Sequence, residues 1–217
     1  MKIRHHYLSV KKGFVHMKAV IDGVILTKGK LLSGYVLLYE EAIWKIIPRN
    51  EVRVRMCTEI VDANGGFVVP GWVHVNVDCK KEGCRHWQQV LPSQGIVAFV
   101  PRYAEATAFS NKGARVMTNG CLDASSMLVL NRDSSTAASF MTAVCDFLKE
   151  GTYSFTECMH MLSTVPLQCL GYKDRGELQE GYVADYLVLD GDTLQVKQTI
   201  ISGVVVYDST DGKRIIR

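Results

Sequence analysis

The chain has 217 residues, of which 47% are hydrophobic and 22% charged, with a formal net charge of +3. That length supports one large domain or two small ones around a real apolar core. The small, scattered positive charge argues against nucleic-acid binding, since only Lys2, Arg4, Lys11 and Lys12 make a locally basic tail. No apolar run approaches the roughly 18 residues of a membrane span. Met1-Lys2-Ile3-Arg4-His5-His6 leads into no apolar segment of the signal-peptide kind. Seven cysteines stand at irregular spacing. Reduced thiols in a cytoplasmic protein are expected.

After a polar tail at 1–16, Lys18 to Leu26 reads as a strand, a turn and a second strand. Gly34 to Tyr39 is another strand, and Ile43 to Ile47 follows and stops at Pro48. Glu51 to Ile60 alternates in part, and Phe67-Val68-Val69 precedes Pro70-Gly71. This predicts a meander of short strands, in a β-sandwich or small barrel. Trp72 to Val77 is rich in β-formers, His86 to Leu91 suits a short helix, and Gly95 to Val100 suits a buried parallel strand. Val73, Val75, Val97 and Phe99 are the expected core of two neighbouring parallel strands. Residues 102–113 carry no assignable pattern.

The third part turns helical. Ser135 to Glu150 spaces Ala138, Met141, Val144 and Leu148 at helical intervals, and Gly151 is a natural C-cap. Ser154-Phe155-Thr156-Glu157 has the capping-box pattern of a helix start. Pro166 opens a further turn that Gly171 closes. Tyr186 to Leu189 is a strand, and Val196 to Ile201 with Val204 to Tyr207 forms a hairpin around Ser202-Gly203.

Several stretches resemble the N-acetylglucosamine-6-phosphate deacetylase family of the amidohydrolase superfamily. Ser163-Thr164-Val165-Pro166-Leu167-Gln168-Cys169-Leu170-Gly171 is similar to its Ser-x-x-Pro-Ala-x-x-Leu-Gly helix. Gly176-Glu177-Leu178-Gln179-Glu180-Gly181-Tyr182-Val183-Ala184-Asp185-Tyr186-Leu187-Val188-Leu189-Asp190 resembles its Gly-x-x-Ala-Asp-x-Val-x-Leu-Asp return to the sandwich. Val61 to Val73 is similar to the segment entering the first barrel strand. Ser93 to Pro101 resembles a Gly-Val-Thr-Ser-Phe-Leu-Pro stretch, and Asn119 to Ser125 is a fainter echo of Asp-Gly-Thr-Leu-Ala-Gly-Ser. The resemblance implies a fold of mixed α/β plus β class. A discontinuous β-sandwich would use 17–69 and 185–208, and 70–184 would be a truncated remnant of a (β/α)₈ barrel.

The family releases acetate from N-acetylglucosamine 6-phosphate, a sugar phosphate. A zinc-like divalent metal activates water, and a carboxylate serves as base and then acid. Its His-x-His ligand pair would fall at Asn76 and Asp78, and neither is histidine. His74 comes two residues early. On a strand His74, Asn76 and Asp78 share one face, which makes them the candidate metal residues, for a weak site or an eroded one. Only residues 72–162 lie between Gly71 and Ser163, and residues 87–159 contain no histidine. A βαβ unit needs about 30 residues or more, so the later ligands and the catalytic Asp have no room. No catalytic residue is assigned.

Other clusters carry less. Cys79, Cys84 and His86 have a spacing that zinc would accept with Asp78, or they are ordinary thiols. Asp123 is the nearest acid by position but reads as a turn residue. His160 lies among methionines, and Ser134-Ser135-Thr136 reads as a helix cap rather than a nucleophile. The expectation is a chain inactive as the family's hydrolase, with metal absent or weak. The alternatives are a non-catalytic paralogue pairing with a full-length homologue, a homo-oligomer, or a truncated gene product.

Overall fold

The computed structural model describes residues 17–80, 82–101, 113–116 and 138–210, with the backbone alone at Asn76, Val116 and 138–143. Seven strands come first: β1 (Lys18–Ile21), β2 (Val24–Thr27), β3 (Lys30–Leu32), β4 (Tyr35–Tyr39), β5 (Ile43–Pro48), β6 (Glu59–Asp62) and β7 (Phe67–Pro70). An α/β stretch follows with β8 (Trp72–Val77), α1 (Gly83–Val90), β9 (Ile96–Pro101) and β10 (Arg115–Val116). Then come α2 (Ala138–Glu150), α3 (Phe155–Leu162) and α4 (Thr164–Cys169), and finally β11 (Tyr186–Leu189), β12 (Val196–Ile201) and β13 (Val204–Asp208).

The strands assemble into three sheets. One has the order β5-β4-β1-β6, the second β13-β12-β11-β7-β2-β3, and the third β10-β9-β8. The second sheet joins the two ends of the chain: β11 pairs antiparallel with β7, Leu187 opposite Val69. Val20, Leu37 and Val61 from the first sheet pack against Ile25, Val68, Tyr186, Val188 and Ile200 from the second. This is a two-sheet sandwich, but not the meander expected from the sequence. β1 pairs in parallel with β6, and β2 in parallel with β7, so β1 and β2 lie in different sheets. The switch is made at Asp22-Gly23. Asp22 adopts a φ of 53°. A Cβ on Gly23 would stand 2.7 Å from that of Ala63 and 2.8 Å from Val68 Cγ2, so the two sheets can converge there only on a glycine.

The expected alternation of Glu51 to Ile60 is also replaced. Short 3-10 turns form at Arg49–Glu51 and Val54–Met56, and the strand starts at Glu59. Val54 covers the outer face of the first sheet with Met17, Ala19, Val36 and Leu38.

The central sheet is buried on both faces, so β11 is buried at every position. Leu26, Val69, Leu187 and Val196 on its second face pack against Trp72, Ile96, Phe99, Met159 and Leu162 of the α/β layer. β8, β9 and β10 run parallel, with His74 level with Phe99 and Ala98 level with Arg115. Val73, Val97 and Phe99 are buried as expected, whereas Val75 is half-buried on the outer strand β8 and packs on the same core. Among the described residues the parallel sheet is open and no barrel closes.

The helices follow local chemistry. Ser154 and Glu157 form the reciprocal capping box that starts α3. α4 begins at Thr164 rather than Pro166, because a proline in the first helical turn gives up an N–H that has no intrahelical partner. Gly171, at a φ of +83°, then reverses the chain. Among the described residues no helix is long and apolar enough to cross a membrane.

Candidate functional site

In a parallel α/β layer, chemistry sits where strands end, so the C-terminal end of β8 is the place to examine. The corner that starts this strand is tight. Gly71 N–H donates to the Asp185 carbonyl at 3.0 Å, and a Cβ on Gly71 would run into the Val97 side chain. Of the three expected metal residues, His74 lies inside β8 and is 6% exposed. Its Nδ1 is 2.9 Å from the Val75 carbonyl oxygen. A carbonyl only accepts, so Nδ1 carries the proton and Nε2 is the acceptor. Burial, offset in part by that hydrogen bond, holds the imidazole below its usual pKa. Asn76 lies in β8, where its backbone alone is described. Asp78 follows the strand end, exposed, and its Oδ1 accepts the Lys80 N–H at 2.9 Å in a local turn.

A catalytic divalent ion needs about three converging donors and an open position for water. Here one imidazole is buried in a strand, while the carboxylate four residues later is exposed and engaged by its own turn. Among the described residues no three or more His, Cys, Asp and Glu side chains gather into a metal-holding group. These donors do not fit such an ion.

Cys79, Cys84 and His86 likewise form no metal-holding group among the described residues. Cys79 and Cys84 are both free thiols. His86 Nε2 instead meets Glu82 Oε2 at 2.8 Å, one helical turn back. His160 is exposed on α3. Asp123 and Ser134 to Thr136 lie outside the described residues.

Sequence reasoning missed a polar node at the sandwich boundary. Asp185 Oδ1 accepts the Ser202 N–H at 2.7 Å, from the β12–β13 turn, and its Oδ2 receives the Arg115 guanidinium from β10. Arg115 also donates to Ser202 Oγ, and Arg175 stands 4.0 Å from Asp185 Oδ2. The Ala184-Asp185 pair was the available signal, but nothing in the spacing names partners so far off in the chain.

A cleft of about 380 Å³ opens between α3 and the β2–β3 turn, with Leu26, Pro70, Met159 and Leu178 as apolar walls. Lys28, Glu157, His160 and Glu177 border it. The hydrogen bonds from Ser154 hold Glu157 below its ordinary pKa and commit it to the helix cap. The cleft touches Pro70, just ahead of β8, whereas Asp78 follows the last residue of that strand. At about 3.3 Å per residue the strand separates those two ends by roughly 20 Å, so this cleft is not at the strand end where the family places its chemistry.

The chain is similar to known proteins at two levels. In sequence, the amidohydrolase family model matches residues 123–209, less than half of the chain. YtcJ of Bacillus subtilis, a protein named as an amidohydrolase, is 33% identical over 76 residues. That match covers 27% of this chain and 14% of the length of YtcJ, so the chain spans a small part of the curated relative. In structure, N-acetylglucosamine-6-phosphate deacetylase from Pasteurella multocida superposes with a TM-score of 0.63 at 9% identity, covering 86% of this chain and 98% of the other. β-Aspartyl dipeptidase from Fervidobacterium islandicum AW-1 superposes with a TM-score of 0.64 at 9% identity, covering 88% and 97%. At that identity the likeness shows the fold, which is that of amidohydrolases. Together with the family match it supports the amidohydrolase superfamily and does not select one branch.

Proposed function

We propose that this chain is an amidohydrolase derivative in which the sandwich and the first parallel strands, a barrel remnant, persist without a working hydrolytic centre. The deacetylase branch is the ancestry we infer, from the Ser93 to Pro101 stretch and the Ser163 to Gly171 helix. The observation that carries the proposal is the end of β8. His74 is buried with Nδ1 on the Val75 carbonyl, and Asp78 is engaged by Lys80 N–H. Metal-assisted amide hydrolysis needs a cation on several fixed ligands and a carboxylate in reach of the reacting atoms. Among the described residues no such group of ligands gathers at this strand end. The test is acetate release from N-acetylglucosamine 6-phosphate with zinc, manganese and cobalt supplied separately. No turnover above a metal-only blank is expected.

A second reading is a non-catalytic subunit that pairs with itself or with a full-length homologue. It is favoured by β8, which among the described residues has a ladder only on its β9 side. An unpaired parallel edge is a template for another strand. Sedimentation of the purified chain, alone and mixed with a full-length amidohydrolase of the same source, tests it. A monomer that ignores the homologue counts against this reading.

A further inference from the structure

We propose that Cys79 and Cys84 are a modification site: a dithiol that a disulfide-class oxidant links reversibly across the turn between β8 and α1. The local chain brings the two together. Asp78 Oδ1 takes the Lys80 N–H at 2.9 Å, and Gly83 N–H returns to the Cys79 carbonyl at 2.9 Å. Gly83 has a φ of +75°, which favours glycine, and it begins α1. The helix therefore starts folded back on Cys79, and Cys84, the second residue of α1, packs against the same apolar core as Cys79.

The surroundings favour thiol chemistry over metal binding. His86, the third member of the sequence cluster, is engaged by Glu82. Cys79 is 8% exposed and belongs to the apolar core with Trp87, and Cys84 is half-buried against the same core. Cys84 is thus the accessible partner and Cys79 the resolving one.

With glutathione disulfide as oxidant the step balances. Cys84 loses its proton and attacks one glutathione sulfur. The glutathione S–S bond breaks, and one glutathione leaves as a thiolate that takes up a proton. The Cys79 thiol then loses its proton and attacks the Cys84 sulfur of the mixed disulfide, expelling the second glutathione. Two protein thiols are oxidised by two electrons, and one glutathione disulfide becomes two glutathiones. The second step is intramolecular, between cysteines at the two ends of one short turn, so it outruns capture by a second glutathione.

The test uses the whole chain with excess glutathione disulfide, then iodoacetamide, proteolysis after lysine and mass spectrometry. Cleavage at Lys80 or Lys81 separates the two cysteines, so a disulfide appears as a joined peptide pair. We expect that pair, two hydrogens lighter than the separate peptides and released by dithiothreitol. In Cys79→Ser, glutathione should stay on Cys84. In Cys84→Ser, Cys79 should stay unmodified. Alkylation of both thiols in the oxidised native chain, or glutathione persisting on Cys84 there, would overturn the proposal. So would linkage of either cysteine to Cys121 or Cys145 in preference to its neighbour.

Discussion

The Asp185 carboxylate, at the entry to β11, receives the guanidinium of Arg115 from β10, 70 residues upstream. One ion pair therefore ties the parallel layer to the strand that returns to the sandwich, and the second carboxylate oxygen ties in the β12–β13 turn through Ser202. Asp185 is 4% exposed at its side chain and Arg115 27%. Breaking a buried pair by removing one partner costs about 3–5 kcal/mol, and the partial exposure of Arg115 favours the lower end of that range. Asp185→Ala should lower the urea midpoint strongly and Asp185→Asn less, because the amide oxygen can still accept the Ser202 N–H. An unchanged midpoint for Asp185→Ala would show that the node does not hold the layers together.

Phe99 tests the parallel layer. It is fully buried on β9, in the core that faces the central sheet. Phe99→Ala should cost about 3–5 kcal/mol through lost burial and the cavity left behind. Leu31→Ser, at a site 43% exposed on the edge strand β3, should change stability by less than about 0.5 kcal/mol. Equal melting midpoints for the two variants would contradict the strand assignment.

His74 predicts a pH dependence. Burial keeps its folded pKa below the ordinary value, which in the unfolded chain is about 6.5. Between the two values the unfolded chain binds more protons, so stability falls as pH drops from about 6.5 toward the folded pKa. Comparing midpoints at about pH 7.5 and about pH 5.5, the native chain should lose more than His74→Leu. An equal loss in both would mean that His74 is not neutral in the folded protein.

Much of the fold was legible in the sequence because it is written in short-range signals. The Ser202-Gly203 hairpin, the Ser154–Glu157 capping box and the apolar run at Ile96 depend on residues that are neighbours in the chain. The failures lie where long-range packing decides. Nothing local tells that the chain changes sheets at Asp22-Gly23, or that β1 finds β6 while β2 finds β7. The partial alternation of Glu51 to Ile60 looked strand-like, but Val54 and Met17 cover the outer face of a sheet and hold that stretch in turns. At the candidate site, period 2 placed His74 on a strand with Asn76. Periodicity does not tell that the imidazole faces a backbone carbonyl, nor that Asp78 lies beyond the ladder. Asp185 was seen, but its partners were not, since ion pairs over 70 residues leave no pattern in spacing.

The central claim is that the strand end holding His74, Asn76 and Asp78 no longer supports metal-dependent hydrolysis. The most direct measurement follows acetate release from N-acetylglucosamine 6-phosphate by the purified chain, with zinc, manganese and cobalt each supplied in turn. A rate equal to the metal-only blank for every metal, and the same in Asp78→Ala, is the expected result. Turnover well above the blank that disappears in Asp78→Ala would contradict the account and show a rebuilt hydrolytic site at the end of β8.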